Sequence, residues 1–153
     1  GRIFLMILNQ PHIMISPEFY DNSGKVKSLH ISPLINQTPS IMHDTYDNAI
    51  SYVFSSNKVQ ILHPHPDFLI CFDPLLQYSF RYSNYVATQL LRYSFSTYFG
   101  ATVNDAVYGD ILIFGSFNYK TQFHDNYFHS VPYHIVEQVT RIYENSAKYS
   151  THI

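Results

Sequence analysis

Tryptophan is absent from this chain of 153 residues, and only one cysteine and five glycines are present. With Cys71 alone, no intrachain disulfide and no cysteine-rich zinc cluster can form, which fits a reducing, cytoplasmic setting. Cys71 lies inside the apolar run Phe68 to Phe72, so it reads as a small buried hydrophobe rather than a nucleophile. The few glycines never form the spacings that cradle phosphate, Gly-x-x-x-x-Gly-Lys or Gly-x-Gly-x-x-Gly. Kinase and dehydrogenase chemistry of the usual nucleotide-binding kinds is thereby disfavoured. No Gly-x-Ser-x-Gly elbow is present to expose a nucleophilic serine either.

Charge is scarce as well. Asp, Glu, Lys and Arg make up 13% of the chain, about half the usual share of roughly 25%. Nine basic and eleven acidic residues give a formal net charge of −2, and the basic residues stand singly along the chain. A positive groove for a nucleic-acid backbone is not evident, so no nucleic-acid partner is expected. Little like-charge repulsion keeps copies apart, and a homo-oligomer is expected. The opening apolar run Ile3 to Leu8 is too short to span a bilayer, and no membrane partner is expected.

Aromatics are what the chain has in excess: 14 Tyr and 12 Phe bring the aromatic share to 17%. Its length suits one domain with one core, spanning 1–153, in which 1–5 precede Met6 and read as a trimmed start and 146–153 read as a frayed tail. Ile3 to Asn9 reads as a strand. Ile13 to Tyr20 and Lys25 to Ile31 read as hairpin arms joined by a turn at Gly24, and 32–40 read as a surface loop.

Helices are predicted near 45–55, 83–99 and 132–145, each carrying an apolar stripe at helical spacing. Lys58 to His63 and Asp67 to Asp73 read as an antiparallel hairpin turning at Pro64-His65-Pro66, and Ala106 to Phe114 reads as a further strand. Without a regular βαβ repeat, this mixture indicates an α+β fold with a mostly antiparallel sheet.

Asn84 to Leu91, Asn-Tyr-Val-Ala-Thr-Gln-Leu-Leu, and Asp105 to Gly115, Asp-Ala-Val-Tyr-Gly-Asp-Ile-Leu-Ile-Phe-Gly, carry a resemblance. They resemble stretches of small uncharacterised α+β domains of phage and plasmid genomes. The resemblance covers the middle and late parts of the chain and implies the same fold and a viral or mobile-element origin. It brings no established activity and no site residues.

Two groups of residues stand out as candidate sites. In His63-Pro64-His65-Pro66-Asp67 the two imidazoles, one residue apart on an extended chain, point to one side and could share a metal. Asp67, Asp73, His124, Asp125, His129 or His134 could complete the ligand set, and a metal-dependent hydrolase using His63 and His65 is the alternative function. The competing reading of the string is a hairpin corner stiffened by proline. His124-Asp125 with His129 could equally place an acid and a base in the polar loop before the last helix.

Tyr119, Phe123, Tyr127, Phe128 and Tyr133 form the second group, an aromatic cluster suited to an interface. The leading expectation is therefore a non-enzymatic interaction or assembly protein without cofactor. It would bind itself or a host protein through Tyr- and Phe-rich surface.

Overall fold

The computed structural model describes residues 14–15, 24–55, 58–65, 67–79, 82–94, 106–116 and 128–150. Its strands are β1 (Met14–Ile15), β2 (Val26–Ile31), β3 (Ser40–Asp44), β4 (Gln60–His65), β5 (Phe68–Phe72) and β6 (Ile111–Gly115). Its helices are α1 (Tyr46–Val53), the single turn α2 (Leu76–Ser79), α3 (Tyr85–Ser94) and α4 (Tyr133–Ser150). The strands form one sheet in the order β1-β4-β5-β6-β2-β3, and every neighbouring pair is antiparallel. The chain is thus a single α+β domain, as its sequence indicates.

Alternation along the strands divides the core in two. Leu29, Ile31, Leu62, Phe68, Ile70, Phe72, Ile111 and Ile113 point to one face, where Val86, Leu90 and Leu91 of α3 and Ile135 and Val139 of α4 cover them. Ile61, Leu69, Cys71, Leu112 and Phe114 point to the other face and meet Tyr46, Ala49 and Ile50 of α1. Covered on both faces, β5 and β6 are buried at every residue, which is why their sequences are continuous apolar runs. Burial pushes the Cys71 thiol well above its ordinary range, so it is a packing group.

Polar side chains close the element ends. Thr45 caps α1, its Oγ1 accepting from Asn48 N, and Asp44 Oδ1 accepts from Asn48 Nδ2 and Thr45 N, both at 2.8 Å. Asn84 caps α3 from full burial. Its Oδ1 accepts from Ala87 N, and its Nδ2 donates at 2.9 Å to the carbonyls of Ile31 and Gly109. Gly109 sits at φ +81°, and a Cβ there would approach Leu76 Cδ1 to 2.5 Å. At Gly115 a Cβ would collide with the main-chain carbonyl of Ser130, so only glycine lets the segment before α4 cross the end of β6.

Several sequence expectations give way to this topology. β2 pairs with β3 and β6, and β1 pairs with β4, so the predicted hairpin between Ile13–Tyr20 and Lys25–Ile31 does not form. The partner of β2 comes instead from Ser40–Asp44, just after the surface loop, because Leu29 and Ile31 need the central sheet beside β6. Residues 146–150, expected as a frayed tail, continue α4. Partial burial of Ser146 and Ala147 extends its packed side beyond the apolar stripe. The expected strand Ile3 to Asn9 and the last turn of the expected helix to 99 lie outside the described residues.

Candidate functional site

The histidine-proline string forms the β4–β5 corner, but an irregularity in the pairing rearranges it. Leu62 pairs with Ile70 and His65 with Phe68, so four residues of β4 face three of β5 and a bulge lies between. Leu62 points toward α3 and α4, and His63 next to it points the other way, where its Nε2 lies 2.9 Å from Ser116 Oγ. After the bulge His65 is back on the side of Phe68, its ring stacked on that phenyl at 5.4 Å and 16°. The two imidazoles therefore leave the sheet on different sides, and the shared metal site expected from simple alternation does not assemble.

Asp67 collects its partners on the His65 side. His134, in the first turn of α4, places Nε2 3.2 Å from Asp67 Oδ2, while His65 Nδ1 lies 3.8 Å from the same oxygen. His65 Nδ1 also accepts from Asp67 N–H at 3.1 Å, which requires its unprotonated form. Burial lowers the His65 pKa and the carboxylate of Asp67 raises it; burial prevails, with a smaller lowering from His134. Among the described residues no group of three or more His, Cys, Asp or Glu is arranged to hold a metal ion. His63, His65 and Asp67 act instead as ties between the corner, the end of β6 and the start of α4.

The aromatic cluster is likewise divided. Tyr119, Phe123 and Tyr127, with the acid–base candidates His124 and Asp125, lie outside the described residues. Phe128 is 6% exposed and stacks on Tyr46 with centroids 4.3 Å apart, while Phe114 closes on both rings from the side. It is a core residue and not an interface residue, a correction that follows from the apolar gap beside α1 that its ring fills. Tyr133 is 78% exposed on the first turn of α4. Side-chain chemistry accounts for most of the division: Phe54, Phe68, Phe72, Phe114 and Phe128 are buried and Tyr52, Tyr82, Tyr85, Tyr93 and Tyr133 are exposed, while Tyr46 is a buried tyrosine.

A different surface emerges at the far side of the sheet. Among the described residues β3 pairs only with β2, so its outer row of main-chain groups has no strand beside it. Between this edge and α1 lies a cleft of roughly 400 Å³, lined by all five residues of β3, Ser40 to Asp44, and by Asn48, Ala49 and Tyr52 of α1. Ile41 and Tyr52, 46% and 79% exposed, flank it. Edge strands are commonly guarded by lysine, proline or a bulge, yet β3 reads Ser-Ile-Met-His-Asp and pairs with β2 in unbroken register. The sequence signal that could have located it is faint: Ser-Ile-Met-His-Asp after Pro39 does not alternate apolar with polar and has no turn chemistry of its own.

One further polar pair ties the strands. His30 Nε2 donates to Asp110 Oδ1 at 2.7 Å and joins β2 to the approach to β6. No family model, curated protein or solved structure matches this chain. Among the described residues no helix is long and apolar enough to cross a membrane.

Proposed function

We propose that this chain is a cytoplasmic, non-enzymatic interaction or assembly protein that takes an extended segment of a protein partner, another copy or a different chain, as an added strand against β3. The observation that carries the reading is the unguarded edge of β3 with the α1 cleft beside it. In strand addition the main chain supplies affinity, and side-chain contacts beside the edge supply selectivity. The cleft runs along β3 from Ser40 to Asp44, so the side chains on one face of an added strand would lie beside it. Tyr52 gives exposed aromatic area at its rim, the role that the sequence assigned to the cluster around Phe128.

Amide hydrogen exchange at β3 tests this reading, using a peptide of the chain's own sequence Gln37 to Tyr46 as the probe. Outward-facing amides of β3 are expected to exchange freely in dilute protein and to become protected when the peptide is added or the protein is concentrated. Outward-facing amides already protected in dilute protein would overturn the proposal, and exchange unchanged under both conditions would exclude another copy as the partner.

A further inference from the structure

We propose that the β4–β5 corner is a proton-operated clasp on α4, in which a proton taken up by His65 breaks the hydrogen bond that closes the corner and draws the Asp67 carboxylate off His134. Three side chains meet there. His65 Nδ1 accepts from Asp67 N–H at 3.1 Å and lies 3.8 Å from Asp67 Oδ2, while His134 Nε2 approaches that oxygen to 3.2 Å. One carboxylate oxygen therefore stands between an imidazole of its own corner and an imidazole in the first turn of α4. The main chain of Asp67 is held by Ser116, whose N–H donates to its carbonyl at 3.0 Å, so a shift between the two rings falls on the carboxylate.

A ring nitrogen that accepts an N–H carries no hydrogen, so the neutral His65 ring holds its proton on Nε2. Protonation adds a hydrogen at Nδ1, and the ring then faces Asp67 N–H donor to donor, a pair that cannot bond. Asp67 Oδ2 is the acceptor at hand, and a bond from a charged ring to a carboxylate is shorter and roughly twice as strong as a neutral one. Closing the 3.8 Å gap takes the carboxylate toward the corner. His134 meets the same acid, but its side chain is 60% exposed against 27% for His65, so repulsion between two charged rings is relieved by turning His134 into solvent.

Phe68 is fully buried, and the His65 ring stacked on it at 5.4 Å and 16° is kept in place, so the carboxylate is the partner that moves. Asp67 on its own corner and His134 on α4 are the titratable groups that face His65 among the described residues. Burial holds the His65 pKa below its ordinary value against the pull of Asp67, and His134 adds a smaller lowering. The corner is therefore closed at neutral pH and changes in mild acid. α4 stays docked through Ile135 and Val139, so the change is confined to its first turn.

Nuclear magnetic resonance of the full chain, titrated from about pH 8 to about pH 5, tests the clasp. Imidazole nitrogen shifts are expected to show His65 with its proton on Nε2 at the alkaline end. As that ring charges, protection of the Asp67 amide, corrected for the intrinsic pH dependence of exchange, is expected to fall roughly ten-fold. Amides of the β5–β6 ladder are expected to hold, and Overhauser contacts between Asp67 and His134 to fade with the same midpoint. In His65→Gln both acid responses are expected to vanish. A His65 ring protonated on Nδ1 at pH 8, an Asp67 amide indifferent to the charging of His65, or Asp67–His134 contacts that persist through it overturns the proposal. Ladder amides lost together with that of Asp67 would make the response global unfolding and overturn it equally. Should His65→Gln fail to fold, the wild-type titration decides alone.

Discussion

The ring of Tyr46 lies flat on that of Phe128, centroids 4.3 Å apart and planes within 8° of parallel. This contact fastens the segment before α4 to the first residue of α1, on the face of the sheet that carries the smaller core. Phe128→Ala is expected to destabilise the fold by about 3–5 kcal/mol, the usual range for removing a buried phenyl. Chemical denaturation measures it. Self-association per folded molecule, followed by sedimentation, is expected to be unchanged, which separates a core role from an interface role.

Asn84 ties three elements from one buried side chain, capping α3 while donating to the carbonyls of Ile31 and Gly109. Asn84→Ala leaves two carbonyl acceptors and one helix amide without these partners, and each buried polar group so stranded costs about 1–3 kcal/mol. A marked fall in the midpoint of thermal unfolding is expected. Asn84→Asp keeps the cap but turns a carboxylate toward the two carbonyls, so it is expected to rescue little at neutral pH.

Ser28 gives the opposite sign. Its hydroxyl is wholly buried on β2 and finds no hydrogen-bond partner among the described residues. Ser28→Ala removes an unsatisfied polar group with almost no change of volume, and a stabilisation of about 1 kcal/mol is expected by equilibrium denaturation. A loss of stability would show that the hydroxyl has a partner in the folded protein.

His65 makes stability depend on pH. Its folded pKa is lowered, with burial the larger cause, so the unfolded chain binds this proton more readily than the folded one. Its contribution is therefore complete above the unfolded value of about 6.5 and is lost as pH falls from there toward the folded value. His65→Gln is expected to flatten this part of the stability profile. The difference between wild type and variant, measured by denaturation at closely spaced pH values from 8 to roughly 5, isolates the group from the other histidines.

Much of the architecture was legible in the residues. The apolar stripes located α1, α3 and α4, and the β4–β5 hairpin followed from two β-rich runs around Pro64-His65-Pro66, because periodicity is a local property of the chain. Beyond that hairpin, strand partnership was not legible. The hairpin expected at Gly24 required only a good turn, whereas β2 takes its place from the burial of Leu29 and Ile31 between β6 and the helices.

The candidate sites divide in the same way. Two histidines spaced by one residue promise a shared ligand only on a regular strand, and a single inserted residue in the pairing of β4 with β5 turns them apart. Phe128 and Tyr133 look alike in an aromatic list, yet one is packed on Tyr46 and the other stands in solvent. Composition by itself determined that this chain has no intrachain disulfide, little charge and enough apolar residues for one core. Which strand lies at the edge of the sheet among the described residues, which aromatics are used up in packing and which polar groups meet were decided only by tertiary structure, because each depends on contacts between residues far apart in the chain.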